Sequence, residues 1–156
     1  MKNILKLSLA AMAISALAAC GGGGSSEPAD KYVGNWKSAC YQDTGNDGQT
    51  YYYITNWTGA KASAGEVAFT GTYLWHSDNT CANQLGKSNS TPRKMNIGAE
   101  TTFLGAKSDN IVLTNMATGE AFPGYATAAD GKMYFRTYTP GTTPTNWGRS
   151  SPWTKQ

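Results

Sequence analysis

His76, Ser77 and Asp78 set an imidazole, a hydroxyl and a carboxylate side by side, the three groups that a nucleophilic hydrolase uses. Consecutive residues point in different directions, so these three cannot form the nucleophile-to-base-to-orienter line that activation requires. The run reads instead as a polar turn after Trp75. His76 is the sole histidine of the chain, which leaves no zinc site of the usual kind, and no acidic run has the alternating spacing of a calcium loop. Glu66, Glu100 and Glu120 are isolated, so a carboxylate pair for glycoside chemistry would have to be assembled by the fold. The expectation is a protein that is not an enzyme and uses no metal and no cofactor.

The aromatic residues carry a different chemistry. Five Trp, nine Tyr and four Phe all lie beyond residue 30. In the run from Glu66 to Trp75, the side chains of Val67, Phe69, Tyr73 and Trp75 fall on one face of an alternating strand, and Ala68, Thr70, Thr72 and Leu74 on the other. Joined by Trp36, Met133 and Phe135, the first set can line a concave apolar cavity for a small molecule; the same rings can equally fill an interior and leave function to the outer surface. Tyr51, Tyr52 and Tyr53 put phenols on both faces of one strand, so at least one ring is exposed or in a wet interior. Thr139 to Thr145, with Pro140, Gly141 and Pro144, reads as an extended loop ahead of Trp147. It is a lid if that ring is presented outward and a mere connection if the ring tucks back.

Thirteen Lys and Arg stand against ten Asp and Glu, a formal charge of +3 over 156 residues. Lys2 and Lys6 belong to the extreme N-terminus, and the remainder is close to neutral with no basic stripe. Nucleic-acid binding relies on cations clustered on one face, so nucleic acid is excluded as a partner. The two N-terminal lysines precede an almost uninterrupted apolar stretch, Ile4 to Ala16, followed by Leu17, Ala18, Ala19 and Cys20. A charged start, a short apolar run and small residues form a secretory signal. About 13 apolar residues fall short of the ~20 that cross a bilayer.

Leu-Ala-Ala-Cys resembles the bacterial lipoprotein signal. The resemblance implies removal of residues 1–19, a diacylglycerol on the Cys20 thiol and an N-acyl chain of the palmitate type. Those chains supply the several buried tails that stable anchoring requires, so Cys20 is the expected attachment to the membrane. Gly21 stands where inner-membrane lipoproteins of enteric-type bacteria tend to carry Asp, which makes the outer membrane of the cell envelope the expected location. Residues 20–30, with Gly21 to Gly24, Ser25 and Ser26, read as a lipidated, flexible tether of roughly 15 to 20 Å, and residues 31–156 as one folded domain.

With Cys20 assigned to lipid, Cys40 and Cys81 remain in an exported chain. They are expected to pair as a structural disulfide. A metal site or reactive thiol is disfavoured by the single histidine and by the lack of Cys-x-x-Cys spacing.

The elements that must position these groups are short. Runs rich in Tyr, Thr, Val, Ile, Phe and Trp alternate with Gly, Asn, Asp and Pro turns, and no segment beyond residue 30 sustains a capped helical period. Lys31 to Tyr41 and Gln49 to Trp57 form a hairpin about Gly45-Asn46-Asp47-Gly48. Glu66 to Trp75, Asn110 to Met116, and Lys132 to Thr139 after the Asp130-Gly131 turn are further strands. Arg93 to Ile97, Thr101 to Lys107, Glu120 to Ala126 and Ser151 to Thr154 complete a set of eight or nine. The predicted class is all-β: a single antiparallel eight-stranded up-and-down barrel, with a two-sheet sandwich as the alternative for the same strand count.

Gly34-Asn35-Trp36, opening the first strand, resembles the Gly-x-Trp signature of lipocalins and related calycin barrels. The run Trp36 to Cys40, with Tyr73 and then Ser77 to Cys81, is similar to small secreted bacterial lipocalin-like domains that tie the first strand to a later one by a disulfide. The resemblance implies a barrel with Trp36 across its closed end and a basic residue near the chain end packed over that ring, Arg149 by position or Arg136 by strand character. Thr-Asp-Tyr between later strands is missing. The implied function is a lipid-anchored module binding a small apolar molecule or lipid. The alternative is a protein-binding barrel, an envelope assembly partner or an inhibitor of an enzyme such as lysozyme. Oligomeric state is not legible.

Overall fold

The computed structural model describes residues 26–45 and 47–156. The signal segment 1–19, the attachment at Cys20 and the glycine part of the tether lie outside the described residues. The chain forms a 3-10 turn, Asp30–Tyr32, and the strands β1 (Gly34–Ser38), β2 (Tyr41–Thr44), β3 (Thr50–Ser63), β4 (Glu66–His76), β5 (Gln84–Asn89), β6 (Arg93–Phe103), β7 (Ala106–Asn115), β8 (Ala121–Ala129), β9 (Lys132–Thr137) and β10 (Trp153–Lys155).

All pairings are antiparallel. Strands β3, β1, β10, β9, β8, β7, β6 and β4 neighbour one another in that order, and β4 pairs back onto β3. The sheet therefore closes into an eight-stranded up-and-down barrel, and closure rather than a two-sheet sandwich removes the edges of those strands. Strands β2 and β5 lie outside the ring. Strands β3 and β4 are longer than the barrel is tall. Their lower halves pair with β1 and β6, and their upper halves with β2 and β5. The result is a four-stranded flap, β2-β3-β4-β5, standing beyond one end of the barrel.

The switch of partner has a local cause on each side. Along β3, Lys37 is opposite Asn56 whereas Tyr41 is opposite Tyr53, so one extra residue is inserted between β1 and β2. There the Ala39 amide turns to the carbonyls of Ser150 and Pro152. A single strand over Lys31 to Tyr41 is thus corrected to two, because the backbone donor at Ala39 is drawn off the ladder. Along β4 the interruption falls at Ser90–Pro92, where Pro92 has no N–H to continue the ladder. Strand β5, Gln84–Asn89, was not expected from its polar composition. Thr101 to Lys107 is corrected from a strand to the tip of the β6–β7 hairpin, its turn made by Leu104 and Gly105 at φ 52° and 78°.

Leu104 occupies left-handed backbone at 51% exposure. Its side chain has no burial to offset a conformation that costs an L-residue roughly 1–2 kcal/mol. Leu104→Asn is expected to raise stability by about 1 kcal/mol, read as a higher urea midpoint; a lower midpoint would refute this account of the turn.

The barrel interior is filled. Trp36, Trp57, Val67, Phe69, Met95, Ile111, Leu113, Met133 and Trp153 form one buried cluster with Tyr32, and Trp57 stacks on Trp153 with ring centroids 4.6 Å apart and meets Phe69 at a tilt at 5.2 Å. Phe103, Tyr125 and Trp147 form a separate cluster, Phe103 stacking on Tyr125 at 4.3 Å and meeting Trp147 edge-on at 4.8 Å. Trp147 also lies 5.7 Å from Tyr134, so the ring tucks back onto the protein.

One end of the barrel is sealed by its N-terminal turn. Ala29 donates its amide to the Ala64 carbonyl, Lys61 pairs with both Glu27 and Asp30, and Ala29 and Tyr32 are buried completely. The end of the segment read as tether is therefore fastened to the barrel. The Trp36 indole N–H donates to the Tyr32 carbonyl at 2.9 Å, which places Trp36 beneath this plug. The cation over Trp36 is neither Arg136 nor Arg149 but Lys155, whose Nζ stands 5.5 Å from the ring centroid. Gly34, at φ 128°, makes room for it: a Cβ there would come within 2.8 Å of the Lys155 side chain. Strand β10 lies beside β1, with Lys155 opposite Trp36, and that register decides which cation reaches the ring.

Candidate functional site

The opposite end of the barrel, beneath the flap, is open. A cavity of about 190 Å³ is lined there by Tyr41, Thr55, Trp57, Tyr73, Arg93, Leu113, Phe135, Thr137, Ser150 and Trp153. Each strand contributes through its alternation. Strand β3 turns Thr55 and Trp57 to one face, and Tyr73 lies opposite Thr55 in register. Strand β6 turns Arg93, Met95 and Ile97 to one face, with Arg93 uppermost. Ser38, Thr55 and Tyr41 form a polar wall: the Thr55 amide donates to Ser38 Oγ at 2.9 Å, and the Tyr41 and Thr55 hydroxyls are 3.0 Å apart. Burial pushes the Tyr41 phenol above its ordinary range, and the Thr55 hydrogen bond opposes that only in part. Tyr41 is thus a neutral donor or acceptor at physiological pH.

Tyr73 also belongs to a second concavity of about 400 Å³ on the flap, shared with Gly45, Asp47, Tyr51, Tyr53, Trp75 and Ser88. Because Tyr41, Tyr53 and Trp75 are register partners across β2, β3 and β4, their side chains emerge on one face. Tyr41 stacks on Tyr53 at 5.8 Å, and Tyr51 meets Tyr53 edge-on at 6.4 Å. Trp75 lies across β5 at Gly86, where a Cβ would come within 2.3 Å of the indole. Glycine here lets the ring lie close to the strand. The mouth cavity and this aromatic shelf share Tyr73 as a lining residue.

The residues expected to line a ligand cavity are thus divided. Tyr73 and Phe135 line the mouth, and Trp75 stands on the shelf. Trp36, Val67, Phe69 and Met133 are buried in the filled core and line neither concavity. Arg93, Trp57, Trp153, Tyr41, Thr55 and Thr137 were not anticipated. The alternation Arg93-x-Met95-x-Ile97 carried a readable signal, a cation on the same strand face as two core residues. Trp57 and Trp153 could be recognised only once β3 and β10 were known to flank β1.

The His76–Asp78 run builds a loop, as expected. The Asp78 carboxylate accepts from the amides of Thr80, Ala82 and Asn83 at 3.0, 3.2 and 2.8 Å and from the Thr80 hydroxyl, and the Thr80 bond and these amides hold its pKa well below the usual carboxylate range. The loop so shaped brings Cys81 to Cys40, and the two form the disulfide, with Cα atoms 5.9 Å apart. His76 itself ends β4 and is buried.

The architecture as a whole is compatible with a lipocalin-like fold, through its closed eight-stranded antiparallel barrel with Gly34-Asn35-Trp36 at the sealed end. No protein-family model, curated protein or solved structure matches the chain.

Proposed function

We propose that this chain is an envelope lipoprotein, anchored through acylated Cys20 and held at the outer membrane, whose barrel binds a small, largely apolar molecule at its open end. The observation that carries the reading is the arrangement of the mouth. The lumen is packed below Trp57 and Trp153, and the remaining cavity of about 190 Å³ shares Tyr73 with an aromatic shelf. Ligand pockets commonly enclose about 300–1,000 Å³. The ligand on this reading is therefore held partly in the mouth and partly on Tyr53, Tyr73 and Trp75, rather than swallowed by the barrel.

The filled lumen equally favours a second reading, a protein-binding barrel that works through the flap and its loops. Native mass spectrometry of the exported chain, with its disulfide formed, separates the two. A discrete co-purifying mass that is lost on denaturation is expected for the first. A chain that emerges with no bound mass, and still shows none after incubation with an envelope lipid extract, would sink it in favour of a protein partner.

A further inference from the structure

We infer that the sealed end of the barrel rests on the bilayer that holds Cys20, through Leu104 and the face formed by Lys107, Lys132, Tyr134 and Trp147, and that the mouth and flap are turned away from it. The inference rests on the acylation of Cys20 proposed above, and it adds how the folded domain stands on its membrane. The first observation is where the tether enters the fold. Glu27 and Asp30 pair with Lys61, and the Ala29 amide donates to the Ala64 carbonyl, so the chain is fixed at the sealed end from Glu27 onward. Only residues 21–25 separate Cys20 from Ser26. At about 3.3–3.6 Å per residue, these steps reach at most about 20 Å. Along β3, Lys61 and Tyr51 of the flap are ten residues apart, which is about 33 Å of strand. A barrel strand's tilt of ~40° leaves about 25 Å of that as height. The tether is therefore too short for the barrel to turn over and set its flap on the same bilayer.

Leu104 is the second observation, and it is independent of the tether. It stands at the tip of the β6–β7 hairpin, beyond Asp109, whose carboxylate meets Tyr32 of the plug. Its backbone is left-handed and its side chain half exposed, so the fold gives this residue strain without burial. An outlier of this kind points to a contact outside the fold, and acyl chains supply the burial that water denies. The face beside Leu104 has the matching chemistry. Ala106 and Lys107 line, with Lys132, Tyr134 and Trp147, a concavity of about 490 Å³, and Phe103, on the other side of Leu104, meets Trp147 edge-on. Lys107, Thr127 and Ala129 also line the groove that receives Ser26 and Glu27, so the tether leaves the fold beside this face. Tyr and Trp present an apolar body with a polar tip, and lysine an apolar stem under a charged head, which suits the boundary between headgroups and acyl chains. Lys107 is shared with Glu100 at 2.8 Å, so apolar bodies rather than net charge carry the contact.

The test uses the full acylated chain, purified from the envelope and reconstituted in vesicles of phosphatidylethanolamine and phosphatidylglycerol, with an exported Cys20→Ser chain in solution as the reference. Amine acetylation read by mass spectrometry is expected to be threefold or more slower at Lys107 and Lys132 on the vesicles than in solution, and unchanged at Lys87 on β5 of the flap. Phospholipid brominated near the headgroup end of its acyl chains is expected to quench tryptophan fluorescence, with at least half of that quenching lost in Trp147→Phe and none in Trp75→Phe. Leu104→Asn, although it stabilises the fold, is expected to halve the lysine protection or more. Acetylation of Lys107 and Lys132 at equal rates in the two states, protection of Lys87 instead, or quenching lost in Trp75→Phe rather than Trp147→Phe would overturn the orientation and leave the anchor standing. A purified chain whose intact mass lacks acyl groups, and which does not float with the vesicles, would bring down the anchor and the orientation together.

Discussion

Replacing Cys40 and Cys81 together by alanine is expected to lower the unfolding free energy by about 4 kcal/mol, the chain-entropy value for a loop of about 42 residues. The bond lies where the fold has least other support. Strand β2 pairs only with β3, and β5 only with β4, so the flap has two open edges and no second layer of strands. Cys40 stands at the junction of β1 and β2, and Cys81 in the loop between β4 and β5, and their bond fastens one side of the flap to the other. The double variant is therefore expected to keep the barrel core while the Tyr51–Tyr53 and Trp75 shelf becomes mobile. Urea denaturation followed by near-ultraviolet circular dichroism, together with hydrogen exchange at β2 and β5, measures both effects. A loss below about 1 kcal/mol with unchanged protection in β2 and β5 would mean that the flap is held by its ladders alone.

The sealed end is expected to be almost as sensitive. Asp109 is 4% exposed, and its carboxylate accepts from the Tyr32 hydroxyl at 2.6 Å and pairs with Lys31 at 2.7 Å. Asp109→Ala leaves the Tyr32 hydroxyl buried without a partner and frees Lys31 to water. The expected cost is about 3 kcal/mol, in the range found when one member of a buried charged hydrogen bond is removed. Tyr32→Phe, which leaves Asp109 its lysine, is expected to cost about 2 kcal/mol, and the double variant less than the two together, since both remove one interaction. Equal and additive costs would show that Tyr32 and Asp109 act separately.

The same contact sets a pH dependence. Burial first, and then the bond to Asp109, push the Tyr32 phenol far above its ordinary value of 10.0. The folded state therefore keeps a proton that the unfolded chain gives up. Its contribution is complete below pH ~10 and declines as pH rises above that value. Tyr32→Phe is expected to flatten the alkaline limb of the stability profile, and a limb unchanged in the variant would assign it to other groups.

How far the fold was legible depended on how local its signals are. Alternation in Glu66 to Trp75 and the Asp130-Gly131 turn set strands that stand in place, as Glu66–His76 and as Lys132–Thr137 with positive φ at both turn residues. Polar Gln84–Asn89 carried no such signal, because a flap edge strand exposed on both faces needs no apolar side. Its place is dictated by the β4 ladder. The same logic explains the divided site. Val67, Phe69, Tyr73 and Trp75 share a strand face, but β4 runs from the sealed end through the core to the flap, so one face passes through three environments. Alternation reports the face, not the depth.

What the sequence by itself determined was therefore the class of the fold, the pairing of Cys40 with Cys81 and the inward or outward sense of most strands, since each rests on neighbours within one run or on cysteine count. Which side chains meet was decided only by the closed sheet. Lys155 over Trp36, Asp109 against Tyr32, and Arg93 in one cavity with Trp57 and Trp153 all join residues brought together by register between strands remote in sequence. Closure imposes that register on every strand at once: each pairing constrains the next around the ring, and no single segment contains the constraint.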